Sequence, residues 1–546
     1  MNFRKFSVGL VGVAVLASSS MASAGVVRGY GRIMYYENGA NGGTLRPLAG
    51  VRVKLMDDDP VIDDVLKTGY TDADGRFDLT SPDTGDGLFG GKLDPYIEVE
   101  LESQGGKVVV ESEILKINVT CATATRPDTE GTINFGTLVC AGTGKDASTL
   151  FAMTRRAYDK FTSLTGESSI PRHNGKAAVL FPATVTAGVP FTTEESVHWP
   201  SGFRYFAGMF HEFGHRIRHA QDGDFLHFLS DVASYSYTQH HWLQLKTNNG
   251  FAFNEGWAEY YQAVNDNDAA SQLANWSMLS NGANDIEGNV AAKLYKMSNA
   301  CGGFGRMWSN LKGGSTHSYT EFANRMKATF QANTKLQTQH PACLSTIAAL
   351  DGQKVIVTPK VPVPMNGRLQ PIGANSPTGK SAQGPKVSEA EQTAALVKFA
   401  AEVKDRAAKM KIRNRLSTLP KLKSVGDKLT ADQEDFEKRS AAKLEKHVKS
   451  LKIVPATKEA LEKRRAEHTA FVKEILADRL VVMERALAQV KAERGKYTSG
   501  AEARDLDATK AKIEKTIAAL KTAQRTGVVT RDLLPRSFSA PAEPAP

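Results

Sequence analysis

The chain has 546 residues, enough for three or four domains at roughly 150 residues each. It is 41% hydrophobic and 23% charged, with 46 Gly and 22 Pro, which excludes a wholly disordered chain and a collagen-like one. Four cysteines exclude a disulfide-dense miniature scaffold, and a single long apolar run excludes a polytopic membrane protein. The net charge of +10 is local: residues 376–546 hold 36 Lys+Arg against 23 Asp+Glu, while the rest is slightly acidic.

Arg4 and Lys5 precede an apolar stretch from Phe6 to Ala17, and small residues follow up to Ala22-Ser23-Ala24. This order reads as a secretory signal peptide over 1–24, cleaved near Ala24, with the mature chain secreted, periplasmic or extracellular. A twelve-residue helix reaches only ~18 Å, short of a ~30 Å bilayer core, so no transmembrane segment is expected in the mature chain. Export agrees with two disulfides. Of the three possible pairings, the local ones, Cys121–Cys140 and Cys301–Cys343, need no contact between domains. Buried free thiols are the alternative.

Residues 25–143 read as β. Alternating runs at Val26–Tyr36, Val51–Met56, Tyr96–Leu101, Lys107–Val119 and Thr132–Val139 are separated by Gly, Asp and Pro clusters. Six to eight such strands predict a sandwich. The stretches P-L-A-G-V-R-V-K-L and T-D-A-D-G-R-F-D-L resemble the carboxypeptidase-regulatory-like and transthyretin-like β-sandwich modules. In those modules D-A-D-G is a hairpin turn. Asp72, Asp74 and Asp78, with Asp57 to Asp59, offer calcium ligands as the alternative, but the twelve-residue EF-hand pattern is missing.

Residues 144–352 are mixed and helix-rich, and they carry H-E-F-G-H at His211, Glu212, Phe213, Gly214 and His215. On a helix, positions i and i+4 share a face, so both imidazoles reach one ion at ~2.0–2.1 Å. Glu212, one residue round, faces the open coordination position as a general base. A catalytic zinc needs a third protein ligand. His219 fails on geometry, because positions i, i+4 and i+8 span ~12 Å of one helix. Asp222, Asp224 and Asp231 are loop candidates, and Glu255 in F-N-E-G-W-A-E-Y-Y is another. The oxyanion donor stays open among His317, Tyr295, Tyr319, His240 and His241. Val197-His198-Trp199-Pro200, ahead of the first motif, is a candidate edge strand for pairing with a substrate backbone.

Together H-E-F-G-H and N-E-G-W-A-E-Y resemble the gluzincins, the thermolysin-like and aminopeptidase-like zinc metallopeptidases. The resemblance implies an α+β zincin-like domain, one Zn2+ per chain on His211, His215 and Glu255, and Glu212 as catalytic base. Glu259, one turn past Glu255, is placed to orient a zinc-bound histidine. No G-A-M-E-N strand is present to capture a free N-terminus, so an endopeptidase acting on peptide or protein is expected.

A Pro/Gly-rich linker follows at 353–386. Residues 387–530 repeat apolar positions at helical spacing in four runs, starting at Leu396, Phe436, Val472 and Leu506. They predict amphipathic helices in a bundle or coiled-coil hairpins. Their charge makes an anionic cell-surface polymer a possible partner, while scattered aromatics exclude specific nucleic-acid binding. Residues 531–546, rich in Pro and Ala, are expected to be a disordered tail. The fold class is therefore multidomain, an all-β sandwich, an α+β zincin-like domain and a helical region. A chain ended near Val355 is expected to fold alone. The competing class is a non-catalytic surface or adhesion protein that retains a zincin-like domain, and the intact Glu212 argues against it.

Overall fold

Where apolar side chains alternate, strands form. The first nine are β1 (Val27–Tyr36), β2 (Leu45–Pro47), β3 (Val51–Asp57), β4 (Asp64–Tyr70), β5 (Arg76–Thr80), β6 (Pro95–Ser103), β7 (Val108–Glu111), β8 (Thr120–Ala122) and β9 (Gly131–Cys140). After them come helix α1 (Gly144–Thr165) and strands β10 (Ala177–Ala183), β11 (Phe191–Thr192) and β12 (Ser196–Pro200). Helices α2 (Gly208–Asp222), α3 (Asn249–Asn265), α4 (Glu287–Cys301), α5 (Gly303–Leu311), α6 (Tyr319–Gln331), α7 (Thr334–Gln339) and α8 (Cys343–Asp351) complete the central part. The C-terminal part holds α9 (Glu389–Lys409), α10 (Lys423–Ser450), α11 (Lys458–Arg494), α12 (Ala501–Thr526) and a last strand, β13 (Ala540–Pro544). This computed structural model describes residues 26–545 apart from 59–62, 82–92, 171–174, 186–187, 223–245, 266–281, 352–386, 413 and 454–457. The signal-peptide and linker readings lie outside the described residues.

The N-terminal strands do not close into a sandwich of their own. One thirteen-stranded sheet runs β11-β12-β10-β7-β6-β8-β13-β9-β1-β2, with β3 and β4 added at β6 and β5 added at β1. β7 finds a parallel partner in β10, from beyond α1. β13 enters between β8 and β9, parallel to the first and antiparallel to the second. The D-A-D-G segment is a turn, as expected: Asp72 Oδ1 accepts the amides of Asp74 and Arg76 at 2.9 and 2.8 Å. Gly75, at φ +77°, has the Ile33 carbonyl 2.4 Å from where a Cβ would sit, so only glycine fits there. Asp78 pairs with Arg28.

Two large apolar cores form among the described residues. The larger runs from Val27 through Trp199 and Trp257 to Leu350, so the sheet and the central helices share it. The second joins α9–α12, and Ile114, Leu115 and Ile117 from the β7–β8 connection plug into it. The predicted apolar stripes are its lining: Leu396, Phe436, Val472 and Leu506 are all buried. Both local disulfides form, Cys121–Cys140 and Cys301–Cys343. Among the described residues no helix is long and apolar enough to cross a membrane.

The C-terminal part is bound to the sheet by buried polar contacts as well. Thr184 Oγ1 lies 2.7 Å from Glu113 Oε2 and 3.1 Å from His468 Nε2, and His468 Nδ1 lies 3.0 Å from His447 Nε2. Burial pushes the His468 imidazole down to about 3, so it stays neutral at ordinary pH. Burial alone would raise the Glu113 carboxyl; the hydrogen bonds from His198 and Thr184 outweigh it and hold the group down to about 2. Thr120 and Ser539 hydroxyls meet at 2.8 Å, and Arg536 forks between Asp58 and Asp63. The tail expected to be disordered is thus a structural strand with its own ion pairs.

Candidate metal centre

The helix α2 carries H-E-F-G-H, and α3 carries N-E-G-W-A-E-Y. Asn248 starts α3 by accepting the Phe251 amide on Oδ1 at 2.8 Å. Two glycines let the helices close on each other. A Cβ at Gly214 would stand 2.8 Å from the Ala258 Cα, and one at Gly256 would stand 2.7 Å from the Val290 Cβ. α2 therefore lies directly on α3, and α3 on α4. Phe213 and Tyr261 stack across the first contact at 5.7 Å. Arg218, buried on α2, donates to Asn254 Oδ1 and to the Thr316 carbonyl and covers the Phe253 ring. The asparagine of N-E-G-W is therefore a strut that fixes the rotation of α3 against α2.

That rotation brings three ligand atoms together. His211 Nε2 and His215 Nε2 are 3.0 Å apart, and Glu255 Oε2 lies 3.2 Å from each. Among the described residues this is the group able to hold a metal ion. Ligands placed tetrahedrally at ~2.0–2.1 Å from one ion stand about 3.3 Å apart, close to the observed triangle. The charges fit too. Glu212, Glu255 and Glu259 are all buried beside the two imidazoles. Three carboxylates out of water are costly without a cation among them. Burial by itself would lower the His211 imidazole, yet the hydrogen bond to Glu255 and the charges of Glu259, Glu255 and Glu212 raise it to about 9. Surroundings that hold a proton so firmly attract a metal cation for the same reason.

The remaining expected residues take different places. Glu212 is not in the three-atom group; its Oε2 accepts the Thr192 hydroxyl at 2.7 Å. Glu259 Oε1 lies 3.5 Å from His211 Nδ1, a longer contact than a good hydrogen bond but on the expected side of the ring. His219 stacks on His215 at 5.8 Å and stays outside the ligand group, as helix geometry requires. Asp224, Asp231, His240 and His241 lie outside the described residues. His317 is exposed, and Tyr319 is in the core with the Lys293 ammonium over its ring. Thr192 was missed in the sequence, because nothing local marks a threonine twenty residues upstream as a partner of Glu212.

The expected substrate strand is corrected. β12 is paired by β10 on one side and, at Val197 and His198, by β11 on the other, so those two residues have no free edge. His198 stacks on Phe191 at 4.4 Å, and Trp199 is wholly buried. The two-residue β11, which carries Thr192, ends the sheet on this side.

No protein-family model matches this chain, and no curated protein matches it. A solved structure does, the 9R-lipoxygenase from Cyanothece PCC8801, with 9% identity over 91% of both chains and a TM-score of 0.18. A likeness at that score carries no argument. These results correct the resemblance drawn from the motifs: the chain is not shown to belong to the gluzincins, and the transthyretin-like module is not recovered. The reason is physical. Two histidines one turn apart and a glutamate on a second helix are what any three-ligand metal site on packed helices needs, so short motifs report the ligand geometry without reporting descent.

Proposed function

We propose that the chain is an exported zinc-dependent hydrolase of peptide bonds, an endopeptidase, with His211, His215 and Glu255 as metal ligands and Glu212 as general base. The observation that supports it most is the convergence of two imidazole Nε2 atoms and one carboxylate oxygen within 3.2 Å, with a further buried carboxylate held apart from them. Two nitrogens and one oxygen with an open fourth position suit catalytic zinc. When bound, the ion supplies Lewis acidity that polarises the scissile carbonyl and acidifies the attacking water. Glu212 takes the proton from that water and passes it to the leaving amine. Thr192 fixes one carboxylate oxygen of Glu212. Glu259, 3.5 Å from His211 Nδ1, adds its negative charge behind that ring. Two disulfides, with the charged and apolar order of the first residues, support export to an oxidising compartment. The basic residues of 376–546 support contact with an anionic polymer at the cell surface, weakening as salt screens it.

Glu255→Ala tests the ligand set. Elemental analysis of the purified variant is expected to show zinc well below one per chain, against one for the wild type, with the circular dichroism spectrum retained. Full zinc in the variant would assign the third ligand elsewhere. Thr192→Val tests the positioning of the base. Losing one hydrogen bond to a charged group is worth roughly 1.5 kcal/mol or more, so kcat is expected to fall about tenfold with KM and zinc unchanged. Thr192→Ser restores the hydroxyl and is expected to restore kcat. Equal kcat in all three would show that the contact does not position the base.

A further inference from the structure

One hydrogen-bond relay crosses from the sheet into the C-terminal part, and it runs in a single direction. Glu113, in the β7–β8 connection, is buried and ionised, so its carboxylate only accepts. Thr184, just past β10, gives its hydroxyl proton to Glu113 Oε2 at 2.7 Å. Thr184 Oγ1 is then the acceptor toward His468 Nε2, 3.1 Å away on α11. A neutral His468 with its proton on Nε2 carries a lone pair on Nδ1, which accepts from His447 Nε2 of α10 at 3.0 Å. Phe471, stacked on His447 at 4.4 Å, backs that ring. At the other end Glu113 Oε1 lies 3.5 Å from His198 Nδ1 on β12.

Both ring nitrogens of His468 are therefore used, and the side chain is wholly buried. A second proton on His468 would set two N–H groups against each other across the 3.0 Å contact. Burial opposes that charge most. Of the neighbouring groups Lys116 in the β7–β8 connection, His447 on α10 and Arg464 on α11 oppose it as well, and Glu113 favours it. Half-buried His447 is also lowered, by burial and then by Arg464, against the pull of Glu467 and Glu474. Nearby, Arg465 of α11 pairs with Glu195 at 2.7 Å. The relay stands where Ile114, Leu115 and Ile117, the residues after Glu113, plug into the helical core.

We propose that this relay is an acid-sensitive latch, which holds α10 and α11 on the β7–β8 connection while both histidines are neutral and lets that end of the helical part open as they take up protons. β13 and the ion pairs of Arg536 with Asp58 and Asp63 tether the other end. In the open state an imidazole returns to its ordinary value near 6.5, above the closed-state value, so the open state binds more protons. The latch is therefore at full strength above about pH 6.5 and weakens as pH falls toward about 3, the closed-state value of His468. Between pH 7 and pH 5 one such imidazole multiplies the open population about twentyfold. Glu113 takes up its proton mainly below that window.

Hydrogen exchange of the full chain, read by mass spectrometry at pH 7 and pH 5 and corrected for intrinsic rates, tests this. Opening of segments 112–118 and 464–472 is expected to rise about twentyfold at pH 5, while segments 253–261 and 538–545 keep their protection. His468→Gln keeps a donor toward Thr184 and an acceptor toward His447 but takes no proton. It is expected to bring the rise below about fivefold. His447→Gln, at the half-buried end of the relay, serves if the first variant fails to fold and is expected to shrink the rise at least about twofold. Equal opening at the two pH values in the wild type, or the same rise in the wild type and both variants, overturns the proposal. Loss of protection in all four segments together overturns it too, because that is global unfolding and not the release of a latch.

Discussion

Glu212→Gln is expected to retain zinc and to lose peptide hydrolysis by about 10²–10⁴ in kcat, the usual worth of a general base. Gln keeps the size of the side chain, and its amide oxygen still accepts the Thr192 hydroxyl that Glu212 Oε2 accepts at 2.7 Å. What it loses is the ability to hold a proton in transit. Because Glu212 stands outside the three-atom ligand group, zinc content is expected to match the wild type. Hydrolysis of casein and of a short internally quenched peptide, measured beside elemental analysis, checks both halves. Turnover near that of the wild type would mean that another group activates the water. Loss of zinc together with activity would make Glu212 a ligand.

Ending the chain after Ser539 is expected to destabilise the whole protein. β13 fills the slot between β8 and β9, and its removal leaves two strand edges unpaired in the middle of the sheet. Among the bonds lost are Ala141 N to Pro541 O at 2.7 Å and Ala545 N to Thr137 O at 2.8 Å. Ala540 and Ala542 also leave their packing against Cys121 and Cys140. At roughly 0.5–1.5 kcal/mol for each net hydrogen bond, plus the apolar area uncovered, the loss reaches several kcal/mol. That is a large part of the ~5–15 kcal/mol that holds a typical domain folded. The shortened chain is expected to melt more than about 10 °C lower, or to be recovered only as aggregate through its open edges. Thermal melting followed by circular dichroism is the check. A melting midpoint within about 2 °C of the full chain would show that β13 is dispensable. The chain ended near Val355, expected from sequence to fold alone, loses this strand together with the helices that cover Ile114, Leu115 and Ile117.

Some of this protein was decided residue by residue along the chain. The spacing of His211 and His215 puts two imidazoles on one helical face whatever else the chain does. Glu255 entered the ligand set only through the company of its neighbours. The stripes of α9–α12 were legible because a period near 3.6 is a local property, and the two disulfides because the local pairings need no contact between distant segments. Long-range partners were not legible. Alternation marks β7 and β9 as strands, but period two is silent on which edge meets which, so β10 and β13 could not be assigned as their partners. The tail was misread for a related reason. Pro541 and Pro544 lack amide hydrogens and argue against a central strand, yet in β13 other residues carry the hydrogen bonds and the prolines stand where none is donated. Thr192 and Asn254 gained their roles only when packing brought β11 and α3 against α2. Gly214 and Gly256 show both levels at once. Each is visible in its motif, but the reason for it, a helix backbone or a Val290 side chain closer than any Cβ allows, exists only in the folded molecule.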